Sequence, residues 1–243
     1  MTPHETDASG KSSVEEIRRR FDADVDRFSN LETGQSATID APLSLELIAQ
    51  AAASVTPDAR HLLDVGCGAG NYSLKLLSQL SLDEITLVDL SQPMLERAVA
   101  RIGERFGGRL TALQQDIRDI DLPAESLDCI VAAAVLHHLR GEEEWQAVFS
   151  KMHTWLRPGG SLWISDLVEH ELPAVQSLMW RRYGDYLTQL GGEEYRDKVY
   201  AYVEREDSPR SVIFQLEMLR RVGFSSVEVL HKNSVFAAFG AEK

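Results

Sequence analysis

Leu62-Leu63-Asp64-Val65-Gly66-Cys67-Gly68-Ala69-Gly70-Asn71-Tyr72 is the stretch that decides how this chain folds. A short apolar run ends in three glycines at alternate positions and passes straight into a helical pattern. His61–Val65 reads as a buried strand because it is short, apolar and stopped by glycine. Glycines are needed after it, since a side chain there would keep a ligand away from the backbone. The helix beginning after Gly70 aims its unpaired N–H groups at whatever occupies the crevice.

Downstream of this loop the pattern alternates. Tyr72–Leu80 is helical, Glu84–Val88 a strand, Pro93–Phe106 helical, Leu110–Gln114 a strand and Leu127–Val135 a strand. Glu142–Leu156 is helical and stops at Arg157-Pro158-Gly159-Gly160, and Ser161–Ser165 is a fifth strand. Five strands separated by helices predict a parallel sheet with helices on both faces. The end differs. Ala174–Leu190 and Glu194–Glu204 are helical, and Pro209–Val222 is a helix stopped by Gly223. Two strands follow, Ser226–Leu230 and Val235–Phe239, joined so tightly that only antiparallel pairing is open to them.

Upstream, Val14, Ile17, Phe21, Val25 and Phe28 recur at helical spacing behind Ser12 and Ser13 as N-cap candidates. This helix precedes every sheet element and is expected on the outside. Ser29–Asp40 reads as a loop, and Pro42 starts a helix reaching about Val55. The units expected are a flexible polar tail over 1–13, N-terminal helices or cap over 14–57 and a core over 58–168. A helical lid insert over 169–208 and a final helix with hairpin over 209–243 complete them.

The 243 residues carry a formal charge of −13, with 44% hydrophobic and 26% charged residues. That mix suits a globular domain with a substantial core. The acidic balance argues against sequence-independent binding to a phosphate backbone, which rests on Lys and Arg. Nucleic acid is therefore not the expected partner, although Arg18–Arg20, Arg181–Arg182 and Arg220–Arg221 are local basic groups. No run is long enough to cross a bilayer and no signal-peptide stretch opens the chain. Cys67 and Cys129 make no disulfide framework, which points to a reducing, cytoplasmic setting. A pair of copies is compatible with these features.

Two further strand ends strengthen the glycine loop. Val88-Asp89 closes the next strand about 20 residues on, where an acidic residue reaches the ribose hydroxyls of a bound adenosine. Gln115-Asp116-Ile117 ends the third strand, where a carboxylate can accept from an adenine amino group while Ile117 covers the ring. Glycine-rich, acidic and acidic strand ends, in that order, make one crevice at the carboxyl edge of the sheet. A dehydrogenase shares the loop and the acidic residue. Here, however, the loop reads Gly-x-Gly-x-Gly, not Gly-x-Gly-x-x-Gly, and no Tyr-x-x-x-Lys pair occurs.

On these motifs, residues from about Arg60 to Asp166 resemble the core of class I S-adenosylmethionine-dependent methyltransferases. Leu136-His137-His138-Leu139, Leu156-Arg157-Pro158-Gly159-Gly160 and the reversed last strand match the small-molecule branches of that family. The resemblance implies a Rossmann-like, seven-stranded, mostly parallel sheet with an antiparallel last strand, helices on both faces and a small helical cap. It implies S-adenosylmethionine as cofactor and a small-molecule acceptor. The backbone of Gly66, Cys67, Gly68 and Gly70 would line the methionine portion, with Asp64 placing its ammonium group. Asp89 would bind the ribose, Leu90 would lie against the adenine, Asp116 and Ile117 would hold its edge, and Ala133 would border the cofactor on the fourth strand.

Methyl transfer from a sulfonium asks the protein mainly for in-line placement of a nucleophile. A base is needed only when the nucleophile arrives protonated. His137, just past the fourth strand, is the candidate catalytic side chain, since histidine exchanges a proton near neutrality. Capping the strand end is its structural alternative. No metal is expected at His137-His138, for want of a third ligand at useful spacing and because sequence neighbours splay apart. Asp166 is a further candidate for substrate contact. Trp180, Arg181, Tyr183, Tyr186, Tyr195, Tyr200 and Tyr202 give the insert an aromatic character, mostly for packing, with some lining a lid. The order of pieces is also similar to carboxy-S-adenosylmethionine-dependent tRNA wobble-uridine enzymes, from which Ala133 departs and whose lid arginine has no assigned counterpart here. A binding protein that keeps the cofactor site without turnover is the third reading.

Overall fold

A computed structural model describes residues 10–29 and 35–243, without the side chains of Arg27 and Phe28. Most of the expected tail, residues 30–34 of the expected loop and the packing of Phe28 lie outside the described residues.

The elements run α1 (Val14–Ala23), α2 (Val25–Ser29), α3 (Ala41–Val55), β1 (His61–Val65), α4 (Asn71–Leu76), β2 (Glu84–Asp89), α5 (Gln92–Gly103), β3 (Arg109–Gln114) and β4 (Leu127–Ala133). A 3-10 turn at Leu136–His138 leads to α6 (Glu142–Trp155), β5 (Leu156–Leu167), α7 (Pro173–Glu206), α8 (Val212–Val222), β6 (Ser226–Asn233) and β7 (Phe236–Glu242). One seven-stranded sheet has the order β3-β2-β1-β4-β5-β7-β6. The first five strands pair in parallel, and β7 runs antiparallel to both β5 and β6. The mostly parallel sheet with a reversed last strand is thus as expected. Strand order reverses between β1 and β4, and ligands of open α/β sheets bind at the carboxyl ends of strands beside such a switch point.

Alternation along the central strands divides the core between the two faces. Leu63, Val65, Ile130 and Ala132 pack with Trp145, Phe149, Trp155 and Met218 on one side. Leu62, Ile85, Leu87, Cys129 and Val131 meet Ile48, Ala52, Leu95 and Ala98 on the other. A third apolar cluster, Ile39, Leu167, Tyr183, Leu187 and Val235, seats α7 above the carboxyl edge of the sheet.

Several boundaries differ from expectation. β4 stops at Ala133, two residues early, because Ala134 takes a left-handed backbone at φ 52° and the chain turns into the 3-10 segment. α4 ends at Leu76, and β5 extends back through Arg157–Gly160 to Leu156, which pairs with Leu127. The single N-terminal helix is broken at Asp24, the C-cap of α1. Ser13 and Glu16 form a reciprocal capping box at its start. α7 is interrupted at Gly192, between the two helical runs the sequence predicts.

α1 lies outside the sheet, with Ile17 as its buried residue, and is tied to the cap. Arg20 pairs with the buried Glu206 at 2.9 Å, and Ser12 N–H donates to Arg205 C=O at 3.0 Å, so α1 lies against the end of α7. The last residues of the expected flexible tail are therefore tied down. Tyr183 and Tyr186 hydroxyls donate to the carbonyls of Ala37 and Ser36 at 3.0 and 2.6 Å. Trp180 and Tyr200 stack with centroids 4.6 Å apart. These aromatics pack, as expected, while Tyr183, Tyr195 and Tyr202 also reach the cavity below.

Candidate functional site

One cavity of about 1150 Å³ opens at the carboxyl edge of the sheet, roofed by α1 and α7. Its floor is the loop after β1. Gly66 has φ 64°, and a Cβ there would come within 2.7 Å of Val135 Cβ. Gly68 has φ 49°, and a Cβ there would meet nothing within 4 Å. The first glycine is demanded by packing of the protein on itself, while the second leaves bare backbone beside open space. That bare backbone is what close approach of a ligand requires. Gly70, at φ 81°, is the N-cap of α4.

Asp64 is buried beneath the loop, and its Oδ2 accepts from Ser73 N–H at 3.2 Å and Ser73 Oγ–H at 2.6 Å. Burial pushes its carboxyl up to about 6 despite those bonds. A buried carboxyl in that state is suited to gain from a cationic group. Asp89 ends β2 with Oδ2 accepting from Gly68 N–H at 2.8 Å and Oδ1 from Ser91 N–H at 2.9 Å. It is tied to the glycine loop and lines the same cavity as Leu90, with burial raising its carboxyl above the usual range.

Asp116 sits after β3 with both oxygens engaged by Arg118, through Nε at 2.9 Å and Nη2 at 2.6 Å. Burial works to raise its carboxyl, but the guanidinium outweighs burial and holds it low. Oδ1 also accepts from Arg118 N–H at 2.9 Å, so Oδ2 is the oxygen that keeps a lone pair for a neighbour in the cavity. Ile117 is buried beside it, and Cys67 and Ala133 complete the lining named by the sequence. Ten residues proposed from sequence, Gly70 alone excepted, therefore border one space: Asp64, Gly66, Cys67, Gly68, Asp89, Leu90, Asp116, Ile117, Ala133 and His137. The space fits an adenosine with a cationic tail, with carboxylates beneath it and bare backbone alongside.

His137 stands on the 3-10 turn at the far end of the cavity. Its Nδ1 is hydrogen-bonded to Asp166 Oδ1, and its Nε2 lies 3.6 Å from Asp207 Oδ1. Burial alone would lower the imidazole, but Asp166 and Asp207 outweigh it and raise it to about 9. Neighbouring His138 behaves oppositely: burial and the charge of His137 push it well below the usual range. The two rings do not splay apart. Their centroids are 4.3 Å from each other, and Asp207, at the end of α7, comes within 3.4 Å of His138 Nδ1.

Asp207 is the residue sequence reading missed. It carries no local motif and is held beside the histidines by the fold: Ser208 N–H donates to His137 C=O at 2.7 Å, and Arg140 Nη1 donates to Glu206 C=O at 2.6 Å. Arg20, from a local basic group, and Tyr72, from the end of the decisive stretch, also line the cavity, and neither carried an expected site role.

A family model described as a methyltransferase domain matches residues 62–160. The chain is similar to a carboxy-S-adenosyl-L-methionine synthase of Chromohalobacter salexigens, at 30% identity over 189 residues, covering 75% of this chain and 68% of that protein. It is also similar to a ubiquinone/menaquinone biosynthesis C-methyltransferase of Syntrophotalea carbinolica, at 27% identity over 190 residues, covering 78% and 77%. Among solved structures, an N-methyltransferase of Bradyrhizobium japonicum in complex with S-adenosylhomocysteine superposes with a TM-score of 0.64. Its identity is 16%, over 93% of this chain and 97% of that one, so the likeness shows the fold.

Proposed function

This chain belongs to the class I S-adenosylmethionine-dependent methyltransferase family, and from that premise we propose that it methylates a small-molecule acceptor by in-line displacement. One observation carries the reading. The glycine loop with Asp89 and Asp116, and the His137–Asp166 pair, border a single cavity. Pockets for a single drug-sized ligand measure roughly 300–1,000 Å³, so about 1150 Å³ has room for a nucleoside and a second small molecule.

S-adenosylmethionine supplies an electrophilic methyl group on a sulfonium, and the rest is the work of the chain. Asp64 places the ammonium end through its buried carboxylate, and Asp89 and Asp116 hold ribose and adenine. Asp166 orients the His137 ring by holding Nδ1, which turns Nε2 toward Asp207 and the cavity. In this reading the neutral His137 ring accepts the proton of a hydroxyl or amine acceptor onto Nε2 as the methyl group is transferred. α1 and α7 keep water away, joined by the Arg20–Glu206 pair. Among the described residues no helix is long and apolar enough to cross a membrane.

Calorimetry tests the reading. S-adenosylmethionine and its demethylated product should bind in the micromolar range, and labelled methyl should pass to a component of a metabolite extract. Absence of binding by folded protein would overturn it. Binding without transfer would favour a cofactor-binding protein that lacks turnover.

A second reading is supported by the likeness to the carboxy-S-adenosyl-L-methionine synthase. In that reading the nucleoside handled carries an extra carboxylate. The mass of the nucleoside that co-purifies decides, because the carboxylated form is heavier. A tRNA substrate draws less support, given a charge of −13.

A further inference from the structure

His137, His138 and Asp207 converge on one corner of the cavity wall. One donor atom from each lies within 4.8 Å of the other two. Asp207 Oδ1 is 3.6 Å from His137 Nε2 and 3.4 Å from His138 Nδ1. These gaps exceed a hydrogen bond. Among the described residues, both ring nitrogens of His138 and Asp207 Oδ1 are buried with no partner in hydrogen-bonding geometry. Orphaned buried polar atoms are rare in native proteins, and His138 Nδ1 and Asp207 Oδ1, facing each other at 3.4 Å, call for a shared occupant.

We propose that His137, His138 and Asp207 bind a divalent transition metal of the zinc type, with a further coordination position open to the cavity. The donor set is right: two imidazole nitrogens and a carboxylate oxygen are zinc ligands. The two carboxylate–imidazole gaps, 3.6 and 3.4 Å, have the right spacing as well. Ligand bonds of about 2 Å set neighbouring tetrahedral donors roughly 3.4 Å apart. The surroundings match a metal-bound histidine, because Asp166 occupies His137 Nδ1 and leaves Nε2 as the donor. Carboxylates behind metal-ligating histidines do this generally. Arg20, whose charge reaches this corner, is bound by Glu206 and Tyr202, which leaves the Asp207 carboxylate facing the imidazoles.

Three protein ligands with an open position is the pattern of catalytic rather than structural zinc. The open position would take a water, or an oxygen or sulfur atom of the acceptor, and that consequence alone rests on the methyl-transfer reading. Metal and proton compete for His137 Nε2, so the loaded protein would not use this histidine as a base.

The test is a titration of chelator-treated, full-length protein with zinc chloride by calorimetry and with cobalt chloride by visible absorption. One ion per chain, at micromolar affinity or tighter, with the absorption of a low-coordinate cobalt site, is expected. His138→Gln and Asp207→Asn should each weaken uptake by about tenfold or more. Binding of S-adenosylmethionine by the same variants shows that they fold. Absence of stoichiometric uptake by the wild-type chain overturns the inference, as does uptake that both variants retain. S-adenosylmethionine binding without zinc binding would sink the metal site and leave methyl transfer standing. Zinc binding without S-adenosylmethionine binding would do the reverse.

Discussion

His137 Nδ1 is hydrogen-bonded to Asp166 Oδ1, joining the carboxyl ends of two neighbouring parallel strands, β4 and β5. The other oxygen of Asp166 accepts from Leu136 and His137 N–H at 2.9 and 3.2 Å, and Leu167 N–H reaches Oδ1 at 2.8 Å. The carboxylate thus holds both the turn that carries the histidine and the ring itself. It serves as a positioning residue, acting on any acceptor only through His137.

This pair gives stability a pH dependence with a definite sign. His137 is raised to about 9, so its contribution is complete below the ordinary histidine value and is lost as pH rises through about 9. Asp166→Asn should shrink that loss, leaving only the part owed to Asp207, and lower stability near neutrality by about 3 kcal/mol, since it uncouples a buried pair. Denaturant unfolding between about pH 7 and about pH 10 reads both effects. A wild-type profile that is flat over this window contradicts the coupling.

If His137 accepts the acceptor's proton, turnover has the opposite slope. The neutral imidazole is the minor form near neutrality, so kcat/KM should climb about tenfold per pH unit until about 9. Asp166→Asn should shift that limb to lower pH. The pH–rate profiles of the two proteins decide, and an unmoved limb assigns the titration elsewhere.

Two glycines in one loop should fail differently. Gly66→Ala drives a Cβ to 2.7 Å from Val135 Cβ, which should cost about 2 kcal/mol of stability through overpacking and backbone strain. Gly68→Ala places its methyl in open space, so it should cost only about 1 kcal/mol for the left-handed backbone. Gly68→Ala should nevertheless weaken S-adenosylmethionine more, because the methyl stands where the ligand approaches. Paired melting and calorimetry of the two variants test this, and equal affinity losses would count against the loop as cradle.

Asp64 links cofactor affinity to acid. Its carboxyl sits at about 6, and an ammonium group favours the ionised form. S-adenosylmethionine affinity should be level above that pH and fall about tenfold per unit below it. In Asp64→Asn the acid limb should disappear. Calorimetry across the range measures it, and a variant that keeps the limb removes Asp64 from the site.

Asp89→Ala should weaken S-adenosylmethionine by about 2 kcal/mol, the scale of hydrogen bonds to a charged group. It also frees Gly68 N–H and Ser91 N–H from their present acceptor. Far-ultraviolet circular dichroism should stay unchanged. Tight binding by a folded Asp89→Ala protein is the outcome that contradicts a ribose contact.

The alternating strands and helices and the glycine loop were legible because their causes are local. A strand, its stop and the next helix start lie within Leu62–Tyr72, so short-range sterics and solvation write them into adjacent residues. Asp89 and Asp116 were legible for a related reason: successive parallel strands put their ends on one edge. Boundaries were harder. β4 ends at Ala133 because Ala134 adopts φ 52°, and nothing in an alanine announces a left-handed backbone.

Sequence alone determined the sheet, its reversed last strand and the crevice at Asp64–Gly70, since each follows from periodicity and backbone freedom over a few neighbouring residues. Tertiary structure alone decided that α1 roofs the cavity through Arg20 and Glu206, and that Asp207 meets His137 and His138. Those contacts join segments remote in sequence. Their energy comes from burial and charge pairing that exist only once the helices have packed on the sheet, so no local pattern records them.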